Sequence, residues 1–249
     1  MEIDDNATAI TDTPNAAEPA NVTVVGAKNC TTTWWGAHSD LNTIEANKTL
    51  HMEFENYTSG VNNYNNWVLV ISNGQYLAGG DTEYLVLRSD NYGWASKYAL
   101  GTVAHYRVNP IPGFDELTDQ DAKDNLYWST FRTEMQGAKV VLEVARWENQ
   151  LTITATATAT NGEQWIETFT AADFVEPTQD LGAWLTVDGC YLVIDNTATT
   201  ITNSTAPTAI STVKAVKGET GVRYNLAGQK VGNGFKGVVI ENGKKLVVK

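Results

Sequence analysis

The sequence predicts an all-β fold: antiparallel sheets packed as a sandwich, one short helix, and a small C-terminal β domain. Three observations lead there. Short apolar runs rich in Val, Leu and aromatic residues are punctuated by Asn and Gly, the pattern of buried strands. Other stretches alternate apolar and polar residues with a period of two. Lys and Arg number only 17 in 249 residues while Thr, Asn and Ala abound, a balance that favours strands and polar loops over long helices.

The elements follow in chain order. Met1 to about Ala20 has low hydrophobicity and no periodicity, so a disordered leader is expected. MEIDDNATAI also lacks the basic start and apolar run of a signal peptide. The sandwich is expected over residues 21–196. Val22–Val25 is a short first strand. In CTTTWWG, residues 30–36, an extended backbone would point Trp34 and Trp35 to opposite faces, leaving at most one exposed. Lys48–Glu55 alternates, with Leu50, Met52 and Phe54 inward. Trp67–Ile71 and Tyr84–Leu87 are apolar on both parities and read as buried strands. Asp90–Gly113 reads as a long irregular region, too aromatic for disorder.

Asp119–Met135 is the convincing helix. Thr118 or Asp119 can cap it, Gly137 stops it, and Trp128, Phe131 and Met135 share one face turned to the core. Lys139–Trp147 and Gln150–Thr160 form a hairpin around Glu148-Asn149, with Ala155, Ala157 and Ala159 marking a close-packed inner face. Gln164–Thr170, Ala183–Val187 and Tyr191–Asp195 complete a sandwich of jelly-roll or lectin-like type. Residues 197–212 are dominated by Thr, Asn, Ser and Pro and read as a linker. Residues 213–249 hold three or four short strands with Asn242-Gly243 as a hairpin signal. They also carry eight of the 17 Lys and Arg, against the trend of the chain.

Composition removes several functions. A net charge of −12 opposes binding to phosphate backbones and to anionic lipid. No apolar stretch is long enough to span a bilayer as a helix. No nucleophile elbow or phosphate loop occurs, and His38, His51 and His105 lack zinc-ligand spacing. Cys30 and Cys190 bracket the apolar region; spacing leaves a disulfide and two free thiols both open.

The functional signal is concentrated in residues 61–98. There Asn63, Tyr64 and Asn66 precede one strand, and Arg88, Asp90, Asn91, Tyr92 and Trp94 follow the next. Aromatic rings beside planar amide, carboxylate and guanidinium groups suit a polyhydroxylated ring. A ring stacks on the sugar's C–H face for roughly 1 kcal/mol while the polar groups take the hydroxyls. Trp35 is a further candidate from the earlier segment. The competing structural reading has Tyr92 and Trp94 covering the sandwich edge and the Asn and Asp residues making turns. Trp67 belongs to the core. Catalysis would fall to Glu53 and Glu55, about 7 Å apart on one strand face, a separation compatible with acid–base work on a glycoside; no third residue completes a motif. Asp81, Glu83 and Asp90 are the candidates for a structural Ca²⁺, and no other cofactor is expected.

Two resemblances sharpen this. Tyr224-Asn225-Leu226-Ala227-Gly228-Gln229-Lys230, then Lys236-Gly237-Val238-Val239-Ile240, then Asn242-Gly243-Lys244-Lys245 resemble the short C-terminal sorting-like modules of secreted and surface proteins of the Bacteroidetes. Asn56-Tyr57-Thr58-Ser59-Gly60, residues 62–69 and Leu87–Trp94 are similar to the non-catalytic β-sandwich modules attached to glycan-degrading enzymes in those bacteria. The resemblances imply a secreted or cell-surface protein. It would bind polysaccharide without cleaving it and hold an attached enzyme, or the cell, near its glycan. A polysaccharide-cleaving enzyme of lectin-like fold and a surface adhesin without a glycan site are the alternatives.

Overall fold

The computed structural model describes residues 21–34, 36–74, 83–95, 101–148, 150–171 and 180–205, and beyond these only the strands of the C-terminal segment. The expected leader lies outside the described residues. In chain order the elements of the first unit are β1 Val22–Val25, β2 Asn42–Ile44, β3 Lys48–Thr58, β4 Trp67–Ser72, β5 Glu83–Arg88, β6 Gly93–Ala95, β7 Gly101–Arg107, α1 Gln120–Glu134, β8 Ala138–Trp147, β9 Gln150–Thr158, β10 Gln164–Ala171, β11 Leu181–Val187 and β12 Cys190–Asn203. They form a seven-stranded sheet in the order β1-β12-β3-β8-β9-β10-β7 and a five-stranded sheet in the order β2-β11-β4-β5-β6. Every pairing is antiparallel, as the all-β reading requires.

Periodicity explains which face each strand buries. Along β3, Leu50, Met52, Phe54 and Asn56 are buried while the alternate residues reach solvent, so one face of the larger sheet meets the core and the other meets water. In β4 every residue is buried. Trp67, Leu69 and Ile71 enter the main core. Val68 and Val70 form a second apolar cluster with Val86 and Trp184, packed by Trp34 and Leu41. The segment before β2 therefore covers the outer face of the smaller sheet, which is why β4 reads as continuously apolar rather than alternating.

The helix closes one side of the core. Its Asp119 cap accepts from the Ala122 N–H at 2.8 Å, and Phe131 and Met135 are buried. Ala155 and Ala157 on β9 leave room for Phe131 and for Trp165 on β10. A buried ion pair fastens the helix end to the larger sheet. Arg107 Nε and Nη2 each lie 2.9 Å from a Glu134 oxygen, and Trp165 Nε1 donates to the same carboxylate at 2.7 Å.

Two expectations change, and one question left open is answered. The region Asp90–Gly113 contains β6 and β7. Its polar residues hid the strands, because His105 and Arg107 occupy half-buried places that an apolar pattern would mark. The linker does not begin at residue 197, because β12 runs on to Asn203. After an irregularity, Thr200–Asn203 pair with Lys48–His51. Asp195 Oδ1 makes that irregularity by accepting from the Thr197 N–H, the Thr197 hydroxyl and the Ala198 N–H. The Thr-rich run is a β-branched strand, and the first compact unit ends at Ala206. Of the two possibilities for the cysteines, Cys30 and Cys190 are free thiols.

Residues 207–249 form the second compact unit. Its strands β13 Arg223–Asn225, β14 Lys230–Val231, β15 Gly237–Glu241 and β16 Lys244–Val248 make one antiparallel sheet in the order β14-β13-β15-β16.

Candidate functional site

The end of the smaller sheet gathers the two loops that the sequence singles out. Residues 62–66 lead into β4, and residues 89–92 join β5 to β6. Because β4 and β5 are paired neighbours, with Val68 opposite Arg88, the loops sit side by side.

The first loop is held from within by asparagines. Asn65 Oδ1 accepts from the Asn62 N–H at 2.8 Å, and the Asn65 backbone carbonyl takes the Thr58 hydroxyl. Asn66 is only 1% exposed. Its amide donates to the Asn63 carbonyl at 2.8 Å, and its oxygen accepts from Asn56 at 2.7 Å. Asn66 is thus turned inward, its amide committed to the fold, and is removed from the expected ligand contacts. Asn63 is half-buried, and its side-chain oxygen accepts from Arg132 Nη1 on α1 at 2.7 Å. The loop packs on the turn after β11. Gly189 there has φ +63°, and a Cβ on it would fall 2.4 Å from Asn65 Nδ2. Only glycine satisfies both the left-handed backbone and that approach.

Tyr64 leaves this loop with 39% of its surface exposed, and Tyr92 leaves the other with 55% exposed. Between them stands Arg88. Its guanidinium carbon lies 5.3 Å from the Tyr64 ring centroid and 4.6 Å from that of Tyr92, both within cation–π range. Asp90 fixes the guanidinium in a two-toothed bond, Nε to Oδ1 at 3.0 Å and Nη2 to Oδ2 at 2.6 Å. The Arg88 N–H closes the loop on the Tyr92 carbonyl at 2.8 Å. Asn91 takes the left-handed conformation, φ +66°, that lets the chain turn there, and is exposed.

Asp188, at the end of β11, borders the same place. Burial raises its carboxyl, opposed by a hydrogen bond from Trp34 and by the charge of Arg88. Sequence reading passed over Asp188 because Asp-Gly reads as a turn.

The geometry therefore unites Tyr64, Arg88, Asp90, Asn91 and Tyr92, with Asn63 at the margin. Trp94 lies in β6 with its backbone opposite Val86; its side chain falls outside what the structure describes. Trp35 and Asp81 also lie outside the described residues. Asp90 spends both oxygens on Arg88, so it is not set up as a cation ligand. Among the described residues, no three His, Cys, Asp or Glu side chains converge as a metal site.

Glu53 and Glu55 belong to the other sheet. Glu53 contacts His51 Nε2 at 3.2 Å, and Glu55 accepts the Tyr57 hydroxyl at 2.6 Å. Each is occupied on the outer face of β3.

Sequence reading also missed a buried polar group beneath the second loop. Glu167 on β10 stands directly opposite His105 on β7 and is 5% exposed. Burial pushes its carboxyl well above the usual range, the neighbouring Asp90 charge adds to the rise, and the Asn91 N–H opposes it. Burial lowers the His105 imidazole to about 4, against the opposing influence of the Ser89 carbonyl and Asp90. The signal was available: Trp165, Glu167 and Phe169 share one parity, placing a carboxyl in line with two core aromatics.

Fold and surface together define an antiparallel β-sandwich carrying a tyrosine–arginine–tyrosine patch at one end of its smaller sheet. No protein-family model, curated protein or solved structure matches the chain.

Proposed function

We propose that the chain binds a polysaccharide without cleaving it, through the patch of Tyr64, Arg88 and Tyr92. The observation that carries this is the pair of exposed tyrosine rings flanking a guanidinium already locked by Asp90. Rigid rings at strand ends lose little freedom on binding, and each offers an apolar face for a sugar ring with a hydroxyl at its rim. Asn91 and the outer edge of Arg88 supply planar groups for the hydroxyls.

Asp90 offsets the charge of Arg88, and the chain as a whole carries −12, so the ligand class is an uncharged glycan rather than a polyuronate or sulfated chain. Binding of this kind would hold an attached enzyme, or the cell, against its glycan. Secretion or surface display and the C-terminal sorting role form part of the same proposal, supported by the residue patterns of the two units.

Affinity electrophoresis against neutral and acidic soluble polysaccharides tests it, with release of reducing ends followed in parallel. Retardation by a neutral glycan without cleavage is expected. Reducing-end release would transfer the protein to the cleaving class, and retardation by acidic glycans alone would overturn the ligand assignment.

A further inference from the structure

Inside the sandwich, beneath the loop that carries Asp90 and Tyr92, lies a cavity lined by Trp67, Ser89, His105, Trp165 and Glu167 among others. It offers about 10 Å³ to the centre of a water-sized sphere, about the space one water needs on that measure. Its walls are mostly apolar, but polar residues are among those that line it. Four of the lining residues bring buried polar atoms that make no hydrogen bond of normal length and angle among the described residues: Trp67 Nε1, Ser89 Oγ, His105 Nε2 and both oxygens of Glu167; the Asn91 N–H and the Ser89 carbonyl lie near Glu167 and His105. Trp67 is 2% exposed, Ser89 3% and Glu167 5%. Orphaned groups of this kind are costly and rare in folded proteins unless something in the interior satisfies them.

Donors and acceptors can be assigned from the surroundings. The Tyr127 hydroxyl lies 2.9 Å from the His105 backbone carbonyl, which can only accept, and 2.8 Å from His105 Nδ1. The hydroxyl proton therefore goes to the carbonyl, and Nδ1 carries the ring proton and donates to the phenol oxygen. Nε2 is left as an acceptor with no hydrogen bond of normal geometry among the described residues. Trp67 Nε1 is a donor only. Indole N–H, imidazole lone pair and carboxyl thus present one donor, one acceptor and one group of either kind around a single water-sized space.

We propose that this cavity is a binding site for one structural water, which accepts from Trp67 Nε1 and donates to His105 Nε2 while hydrogen-bonding the Glu167 carboxyl. The water joins β4 of the smaller sheet to β7 and β10 of the larger, directly under both loops of the surface patch, since Trp67 follows Asn66 and Ser89 follows Arg88. Ser89 Oγ supplies a fourth contact. The site stands independently of what the surface binds. The carboxyl is protonated when it does so; burial and the Asp90 charge favour that form.

The test is the exchange of magnetisation between water and the Trp67 indole N–H in the intact chain at neutral pH, with the indole signal identified by its loss in Trp67→Phe. A direct cross-peak to a long-lived water is expected in the wild type. It should persist in Glu167→Gln, which keeps shape and hydrogen bonding, and vanish in Glu167→Leu. An indole without that cross-peak in the wild type overturns the proposal, as does a cross-peak that survives unchanged in Glu167→Leu. Should the Leu variant not fold, the wild-type spectrum and a crystal structure showing density within hydrogen-bond reach of Trp67 Nε1 and His105 Nε2 decide between the same two outcomes.

Discussion

Replacing Glu167 by Gln should change how stability depends on pH, and the structure sets the size and sign. The Glu167 carboxyl is raised above its ordinary value of 4.5 by burial first and by Asp90 second. Below 4.5 both folded and unfolded chains hold the proton. Above it the unfolded chain releases the proton and the folded one keeps it, so stability falls by about 1.4 kcal/mol per pH unit until the folded value is passed. His105 acts in the opposite direction. Burial lowers it from 6.5 to about 4, so its neutral form contributes about 3 kcal/mol that is present above 6.5 and lost as pH falls through 4. While the folded Glu167 keeps its proton, its slope opposes that of His105 between 4.5 and 6.5. The other charged or ionisable groups around the pair are Asp90 with Arg88 from the loop, Tyr127 from α1, and the Arg107–Glu134 pair one step along the strands. They are common to both proteins and leave the difference curve. All eight Trp lie in the first unit, so urea unfolding followed by Trp fluorescence reports on the sandwich alone. Relative to Glu167→Gln, wild type should lose stability as pH rises above 4.5, at about 1.4 kcal/mol per unit for as long as the folded carboxyl keeps its proton. Parallel curves there would refute the reasoning and indicate an ionised Glu167 paired with a protonated His105.

Further outcomes follow from the same contacts. Glu134→Ala takes the two-toothed carboxylate from Arg107, leaving it a single carboxylate contact, to Glu163 at 3.3 Å, and removes the acceptor of the Trp165 indole N–H, so it should cost about 3 kcal/mol in urea unfolding; a loss below about 1 kcal/mol would mean solvent reaches the guanidinium. Gly189→Ala forces a Cβ at φ +63° against Asn65 and should cost about 2 kcal/mol, measured by thermal unfolding. Arg88→Lys keeps the charge but loses the two-toothed bond and the flat stacking surface, so glycan affinity should fall while net charge is unchanged; equal affinity would reduce Arg88 to a point charge.

The architecture was legible wherever periodicity was clean. β3 alternates, β4 is apolar throughout, and the helix announces its own cap at Asp119. It was least legible where polar residues serve the interior. β7 carries His105 and Arg107, whose partners Tyr127 and Glu134 come from the helix, and no local pattern reports a partner twenty or more residues away. The end of β12 was hidden by its Thr-rich composition, although the β-branched residues of that run favour a strand. For the site, the aromatic and charged loops were visible as a cluster, but the division of labour inside it was not. Asn66 and Tyr64 stand two residues apart in one loop; one is spent on Asn56 and Asn63, the other faces solvent. That distinction depends on which way a short turn folds, fixed here by Asn65, Thr58 and Gly189 from three separate segments.

The central claim is that the tyrosine pair forms the glycan-contacting surface, and calorimetric titration tests it most directly. The soluble polysaccharide that retards the wild type most would be titrated into wild type, Tyr64→Ala, Tyr92→Ala and the double variant, each first shown to unfold at the wild-type temperature. Each ring should contribute roughly 1 kcal/mol, about a fivefold loss of affinity, and the double variant should bind at least about twenty-fold more weakly than wild type. Wild-type affinity in the double variant, with the fold intact, would contradict the account and place any glycan surface elsewhere on the chain.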